Sequence, residues 1–200
     1  MLRLVSLVVI PTAEVLYIFF SLCEARIIDD ILLYMSIYSS RVTFSIVILC
    51  VCYVLRCMML VGALYSSGDN EITFSNVQFD SNIGSFGGAV YINENSKTVL
   101  VSSTTFSNNS GDYGGAIYVS TLVTQLSIDN SIFSNCSGFS SGGCMYIASS
   151  NHGISITNSV FYQCRALGVS SSDGGAITVD YGNNDMQIVN VLFQACSTTW

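Results

Sequence analysis

The chain of 200 residues contains one His, one Trp, one Pro and only six Lys and Arg together. A single His, with eight Cys that show no zinc-ligand spacing, argues against a zinc site. Residues 67–200 hold Lys97 and Arg165 against nine acids, which is the whole formal charge of −7, while residues 1–66 balance four Arg against four acids. Phosphate and sulfate contacts need clustered Lys and Arg, so DNA, RNA and heparin are not expected partners. There is no Gly-x-Ser-x-Gly, no phosphate loop and no Gly-Gly-x-Gly-x-Asp calcium repeat. What is plentiful is apolar: 50% of the residues, too many for a disordered chain.

The composition changes near Ser66. Before it the chain is rich in Leu, Ile, Val, Cys and Met; after it come Ser, Asn, Gly and aromatics. Ser66-Ser67-Gly68-Asp69-Asn70 reads as a linker. Residues 1–66 therefore form an N-terminal apolar region, and residues 67–200 a second domain. Residues 4–22 are apolar but include Pro11 and Glu14. Residues 44–65 are interrupted only by Arg56 and are the best span. As a helix these 22 residues reach roughly 33 Å, enough for a bilayer core. Residues 44–65 could be an anchor, with Arg41 placing the second domain outside. Both stretches could span. Alternatively, translation starts at Met35 and Val61-Gly62-Ala63 is a signal cleavage site. The plain alternative is a buried helix pair.

The second domain repeats. Phe recurs as Phe79, Phe106, Phe133, Phe161 and Phe193. A glycine pair recurs as Gly87-Gly88, Gly114-Gly115, Gly142-Gly143 and Gly174-Gly175. The Phe spacings are 27, 27, 28 and 32, and the glycine pairs keep step. Before each Phe comes period-two apolar alternation (Ile72/Phe74, Val99/Val101, Leu126/Ile128, Ile154/Ile156, Met186/Ile188). A second alternating run follows each Gly-Gly. Three residues after Phe come Asn82, Asn109, Cys136, Cys164 and Cys196; three residues before it come Asn76, Ser103, Asn130, Asn158 and Asn190.

Short strands at such a period mean a solenoid or propeller blades, and the aromatic-glycine blade signatures are absent. The expected fold is all-β: a right-handed parallel β-helix of about five coils, each strand pairing with its copy about 4.8 Å away. Phe, Val and Ile stack inside. Gly-Gly allows a positive-φ bend with no side chain against the next coil. Asn tolerates left-handed geometry at bends and can bond its copy in the next coil. The Phe to Gly-Gly loop grows along the chain and is longest at residues 165–173.

Phe79-Asp80-Ser81-Asn82 with Gly87-Gly88-Ala89-Val90, and Phe106-Ser107-Asn108-Asn109 with Gly114-Gly115-Ala116-Ile117, resemble the repeat of the chlamydial polymorphic outer membrane proteins over about residues 71–196. Repeats three to five depart from it, with Cys136, Cys164 and Cys196 in place of Asn, and Cys144 in place of Ala. No C-terminal barrel follows, and the fifth coil stops before its Gly-Gly. Similar repeats occur in surface proteins of microbial eukaryotes. The resemblance implies a surface-displayed β-helix with adhesion as its usual role.

Cys136, Cys164 and Cys196 would form one column, either bridged (Cys136–Cys164) or packed as reduced thiols. Cys23, Cys50, Cys52 and Cys57 read as membrane-buried or lipidated thiols. Asn108-Asn109-Ser110 and Asn135-Cys136-Ser137 have the form of N-glycosylation sequons, at equivalent outward positions. Tyr91, Tyr118 and Tyr146 would make an outer aromatic row, either a contact surface or a stabilising ladder. Asp112 and Asp173 lie near Gly-Gly bends, where calcium would need further ligands, and His152 reads as an exposed loop residue. A glycosidase or lyase needs registered carboxylates or a base beside them, but Asp80 and Asp129 do not recur in register and Lys97 and Arg165 lie apart. The reading is a non-enzymatic repeat protein without metal or cofactor, held to a membrane by its N-terminal helix. Its repeat domain is extracellular, and its partner is a host or cell-surface protein or glycan. The alternatives are a fragment of a carbohydrate-active β-helix enzyme, or a truncated product without independent function.

Overall fold

The computed structural model describes residues 41–45, 48–50, 64–66, 71–168 and 173–199, with the first two segments described as backbone only. Four parallel sheets run along a solenoid. Sheet one stacks Arg41–Ser45, Glu71–Ser75, Thr98–Ser102, Leu126–Asp129, Ile154–Thr157 and Gln187–Val189. Sheet two stacks Ile48–Cys50, Gln78–Asp80, Thr105–Ser107, Ile132–Ser134, Val160–Tyr162 and Leu192–Gln194. Sheet three runs from Ile83–Phe86 to Ser197–Thr198, and sheet four from Leu64–Ser66 to Ile177–Val179. Each turn of the coil visits the four in order. From Glu71 onward there are about four full turns, with three strands of another.

The register is the repeat. Phe79, Phe106, Phe133, Phe161 and Phe193 are Cα partners in sheet two. Val90, Ile117, Met145 and Ile177 are partners in sheet four. Because side chains alternate across a strand, fixing one column fixes every inward position. The Phe rings stack inside at 4.9, 4.7, 4.5 and 5.2 Å between centroids. Phe79, Phe106, Phe133 and Phe161 are fully buried; Phe193, in the last turn, is 46% exposed.

Left-handed backbone occurs at every corner of the described coil, at a fixed place in the repeat at three of them and at Asn95, Leu122, Ser150 and Asp185 in the variable fourth. At the first stand Asn76, Ser103, Asn130, Asn158 and Asn190, with φ of 48–56°. At the second stand Ser81, Asn108, Asn135, Gln163 and Ala195. At the third stands the first glycine of each pair, Gly87, Gly114, Gly142 and Gly174, with φ of 61–67°. The first corner, four Asn and one Ser, follows the known tolerance of Asn for this region; the second is mixed, with Gln163 and Ala195 in its last two turns, and at the third Gly removes the steric penalty altogether. The second glycine of each pair answers to space instead. A Cβ on Gly88, Gly115, Gly143 or Gly175 would lie 2.5–2.8 Å from the backbone nitrogen of Ser110, Ser137, Arg165 or Ser197, one turn further on. The expected bend without a side chain against the next coil is therefore met at all four pairs, with the two roles divided between the two glycines. The fourth corner varies in length and sequence from turn to turn.

The N-terminal helix expected over 44–65 is not what the described part of that stretch forms. Phe44 and Ser45, Ile48–Cys50, and Leu64 and Tyr65 lie in strands, and Arg41–Ser45 pairs in parallel with Glu71–Ser75. Arg41-Val42-Thr43-Phe44-Ser45 copies Glu71-Ile72-Thr73-Phe74-Ser75 almost type for type. Its β-branched alternation is hidden because the residues that follow are apolar on both faces, and such a run cannot be told from a helix by periodicity. No described helix is long and apolar enough to cross a membrane. Residues 4–22, Cys23, Cys52, Cys57, Val61-Gly62-Ala63 and the linker residues 67–70 lie outside the described residues, as does 169–172 of the longest loop.

Candidate functional site

Chemistry-bearing side chains fall into three sets: an inner polar column, an outer polar ladder and an outer aromatic strip. The inner column begins with Asn82, whose backbone N–H and Nδ2 both donate to Oδ1 of Asn109 at 2.9 Å. Asn109 Nδ2 donates to the Phe79 carbonyl at 3.0 Å. This is the stacked amide ladder expected from the repeat, and it is buried throughout. Cys136 continues it, its thiol donating to the carbonyls of Ser134 at 3.4 Å and Phe106 at 3.7 Å. Burial pushes the Cys136 thiol up to about 11, so it is an inert packing group rather than a nucleophile.

The column of Cys136, Cys164 and Cys196 therefore exists, but the bridge is not within it. Cys164 is joined to Cys144, with 5.4 Å between their Cα atoms, and Cys136 and Cys196 are free. The reason lies in how the walls face each other. A Cβ on Gly143 would touch the Arg165 backbone, so the residue after each glycine pair looks across the interior at the residue three after the next Phe. Ala89 faces toward Asn109, Ala116 toward Cys136, Cys144 toward Cys164 and Ala176 toward Cys196, all at an offset of 20 residues. Only one of these pairs has Cys on both sides. The departure of Cys144 from the repeat's Ala was the available signal.

Closing a 20-residue loop stabilises by about 3 kcal/mol in the chain-entropy account. Reduction is thus expected to lower the melting temperature by about 10 °C. Non-reducing peptide mapping should return a Cys144–Cys164 cross-link, and a Cys136–Cys164 peptide instead would overturn the pairing.

On the outer face, hydroxyls and amides of one turn bond carboxylates of the turn before. Asp80 accepts from Ser107 and from Asn108 Nδ2 at 2.9 Å, and Asp129 accepts from Thr157 at 2.6 Å and Asn158 at 2.8 Å. The Ser107 hydroxyl, with Asn108 and Ser81 adding to it, holds Asp80 below the usual carboxylate range; Thr157 and then Asn158 do the same for Asp129. The two carboxylates stand at different corners of the coil.

Tyr91, Tyr118 and Tyr146 do form one partly exposed row, in register in sheet four. Tyr65 extends it, with centroid distances of 5.2, 5.1 and 5.3 Å along the row. Phe86 and Tyr113, each the residue before a glycine pair, join from sheet three, Phe86 at 4.9 Å from Tyr118 and Tyr113 at 5.3 Å from Tyr146. These two were missed, although an aromatic before Gly-Gly in two successive repeats is visible in the sequence. The Tyr146 hydroxyl donates to Asp180 at 2.8 Å, and burial first, then Asp180, raises its pKa above the usual phenol range. Much of each ring is spent on its neighbours, as a ladder requires.

The remaining candidates stay apart. Asn108 and Asn135 are exposed at equivalent corners. His152 is exposed in a loop, and Lys97 and Arg165 are exposed in different turns. Asp112 and Asp173 are exposed, and no group of three metal-ligating side chains occurs among the described residues.

A family model described as the right-handed β-helix region matches residues 59–193. No curated protein and no solved structure matches the chain. The match begins before the first glycine pair and takes in the four full turns from Glu71 and the Phe stack to its last ring, Phe193. On that agreement of model and register, the chain belongs to the right-handed β-helix family.

Proposed function

We propose that this protein is an exported, surface-displayed β-helix that presents its outer faces to a partner and carries out no catalysis. The observation that carries the proposal is the Cys144–Cys164 bridge, built into the interior across two walls. Bridges of this kind persist in oxidising compartments and are rare in reducing ones. The resemblance of the Phe-x-x-Asn and Gly-Gly-Ala pairs to the chlamydial surface repeat supports the same reading and suggests adhesion to a host or cell-surface protein or glycan.

Two further observations fit a non-catalytic role. Asp80 and Asp129 are held below the usual carboxylate range by donors of the next turn, whereas the acid of a glycosidase pair needs a raised value. The exposed cations Lys97 and Arg165 sit in different turns, so they do not form one basic site. Export itself falls to the apolar residues before Arg41, where 4–22 is the longest stretch that the strands leave for an anchor or signal.

A C-terminal epitope tag on the full chain tests the proposal. Antibody or external protease should reach the tag on intact cells as well as after detergent permeabilisation. Access only after permeabilisation overturns surface display.

A further inference from the structure

We propose that the corner carrying Asn108 and Asn135 is an N-glycan acceptor edge, an inference that rests on the exported reading above. Both residues head an Asn-x-Ser triplet, Asn108-Asn109-Ser110 and Asn135-Cys136-Ser137. Both occupy the same left-handed corner in successive turns, at φ 57° and 53°, and both are exposed. The middle residue of each triplet points the other way. Asn109 and Cys136 are buried links of the inner column. The alternation that sends the middle residue inward turns the acceptor amide outward, so a bulky group there meets solvent rather than core.

The amide chemistry is compatible at Asn108. Asn108 Nδ2 donates to Asp80 Oδ1 at 2.9 Å, and an amide nitrogen that has gained a sugar keeps one N–H for that bond. In the transfer, Nδ2 forms a bond to the anomeric carbon of a lipid-pyrophosphate oligosaccharide. The bond from that carbon to the pyrophosphate oxygen breaks, and the lipid pyrophosphate leaves with the electron pair. One amide proton passes to a base of the transferring enzyme.

A second observation points to the same corner. Large apolar side chains stand exposed on both sides of the Asn135 corner: Ile132 at 46% and Phe139 at 59%. Ile132 lies on sheet two just before that corner, and Phe139 on sheet three just after it. Exposed apolar groups on adjoining faces are an aggregation hazard unless covered. A glycan on the corner between them would shield both flanks.

The test is translation of the tagged full chain with endoplasmic-reticulum microsomes, reading protease protection of the tag and glycosidase-sensitive mobility together. The expected result is a protected tag and a slower band that collapses on treatment with an amide-linked-glycan glycosidase. Asn108→Gln and Asn135→Gln should each lower the band, and the double variant should show no step. A protected tag with no step in the wild type overturns the glycan edge and leaves export standing. An unprotected tag overturns export. The same chain behind an added cleavable signal then decides the glycan edge by itself: a step lost in the double variant supports it, and no step overturns it.

Discussion

Gly115→Ala is expected to abolish the stable solenoid, costing more than about 4 kcal/mol. A Cβ at this position would collide with the Gly143 carbonyl oxygen and lie 2.5 Å from the Ser137 nitrogen. Both are backbone atoms of the next turn, themselves fixed by parallel pairing, so no side chain can swing away. The defect is one of space alone, since Gly115 does not use left-handed backbone. Gly182→Ala is the matched comparison: its new Cβ meets nothing closer than 3.6 Å, and only its φ of 74° is unfavourable. That substitution should cost about 1–2 kcal/mol. Urea denaturation followed by circular dichroism would separate the two. A Gly115→Ala protein within about 1 kcal/mol of wild type would mean that the turns are not packed backbone to backbone at this corner.

Phe133→Ala is expected to destabilise by about 3–5 kcal/mol. Phe133 is fully buried, with Phe106 stacked on one side at 4.7 Å and Phe161 on the other at 4.5 Å. Removing it strips both neighbours of a ring contact and leaves a void that the paired strands cannot close. Phe193→Ala should cost well under half as much, because among the described residues that ring stacks on Phe161 alone, at 5.2 Å, and it is 46% exposed. Equal losses at the two positions would contradict a stack that runs along the axis.

These two predictions rest on the features that were plainest in the sequence. Phe and Gly-Gly moved in step from repeat to repeat, and the structure pairs them as written, because a period-two strand that must bury one face admits a single register. The Asn column before each Phe was legible because Asn is among the residues that best tolerate a left-handed corner, and the Asn82–Asn109 column because each amide bonds its copy. What escaped was anything that depends on which wall faces which. Cys164 had a stacked neighbour in Cys136, and only the cross-section shows that Cys144 lies opposite it. The early turn escaped because the apolar residues after Ser45 imitate a membrane helix. Yet Arg41–Ser45 repeats Glu71–Ser75, and Leu64-Tyr65 repeats Val90-Tyr91. In the aromatic strip the row itself was read, and its second file, Phe86 and Tyr113, was not.

The Cys144–Cys164 bridge also sets how the molecule comes apart. In a solenoid each turn touches only its neighbours, so loss of structure propagates from an end, one turn at a time, like a zipper. Among the described turns, the one that holds Phe193, 46% exposed, is the least buried, and loss that reaches it meets little resistance. Peeling from there can release the strands from Gln187 onward, but it reaches a clasp at Cys164, which is tied back to the glycine corner of the preceding turn. A chain pulled from beyond Phe193 would therefore give way as far as Cys164 and then hold, with the turns before Cys144 still wound.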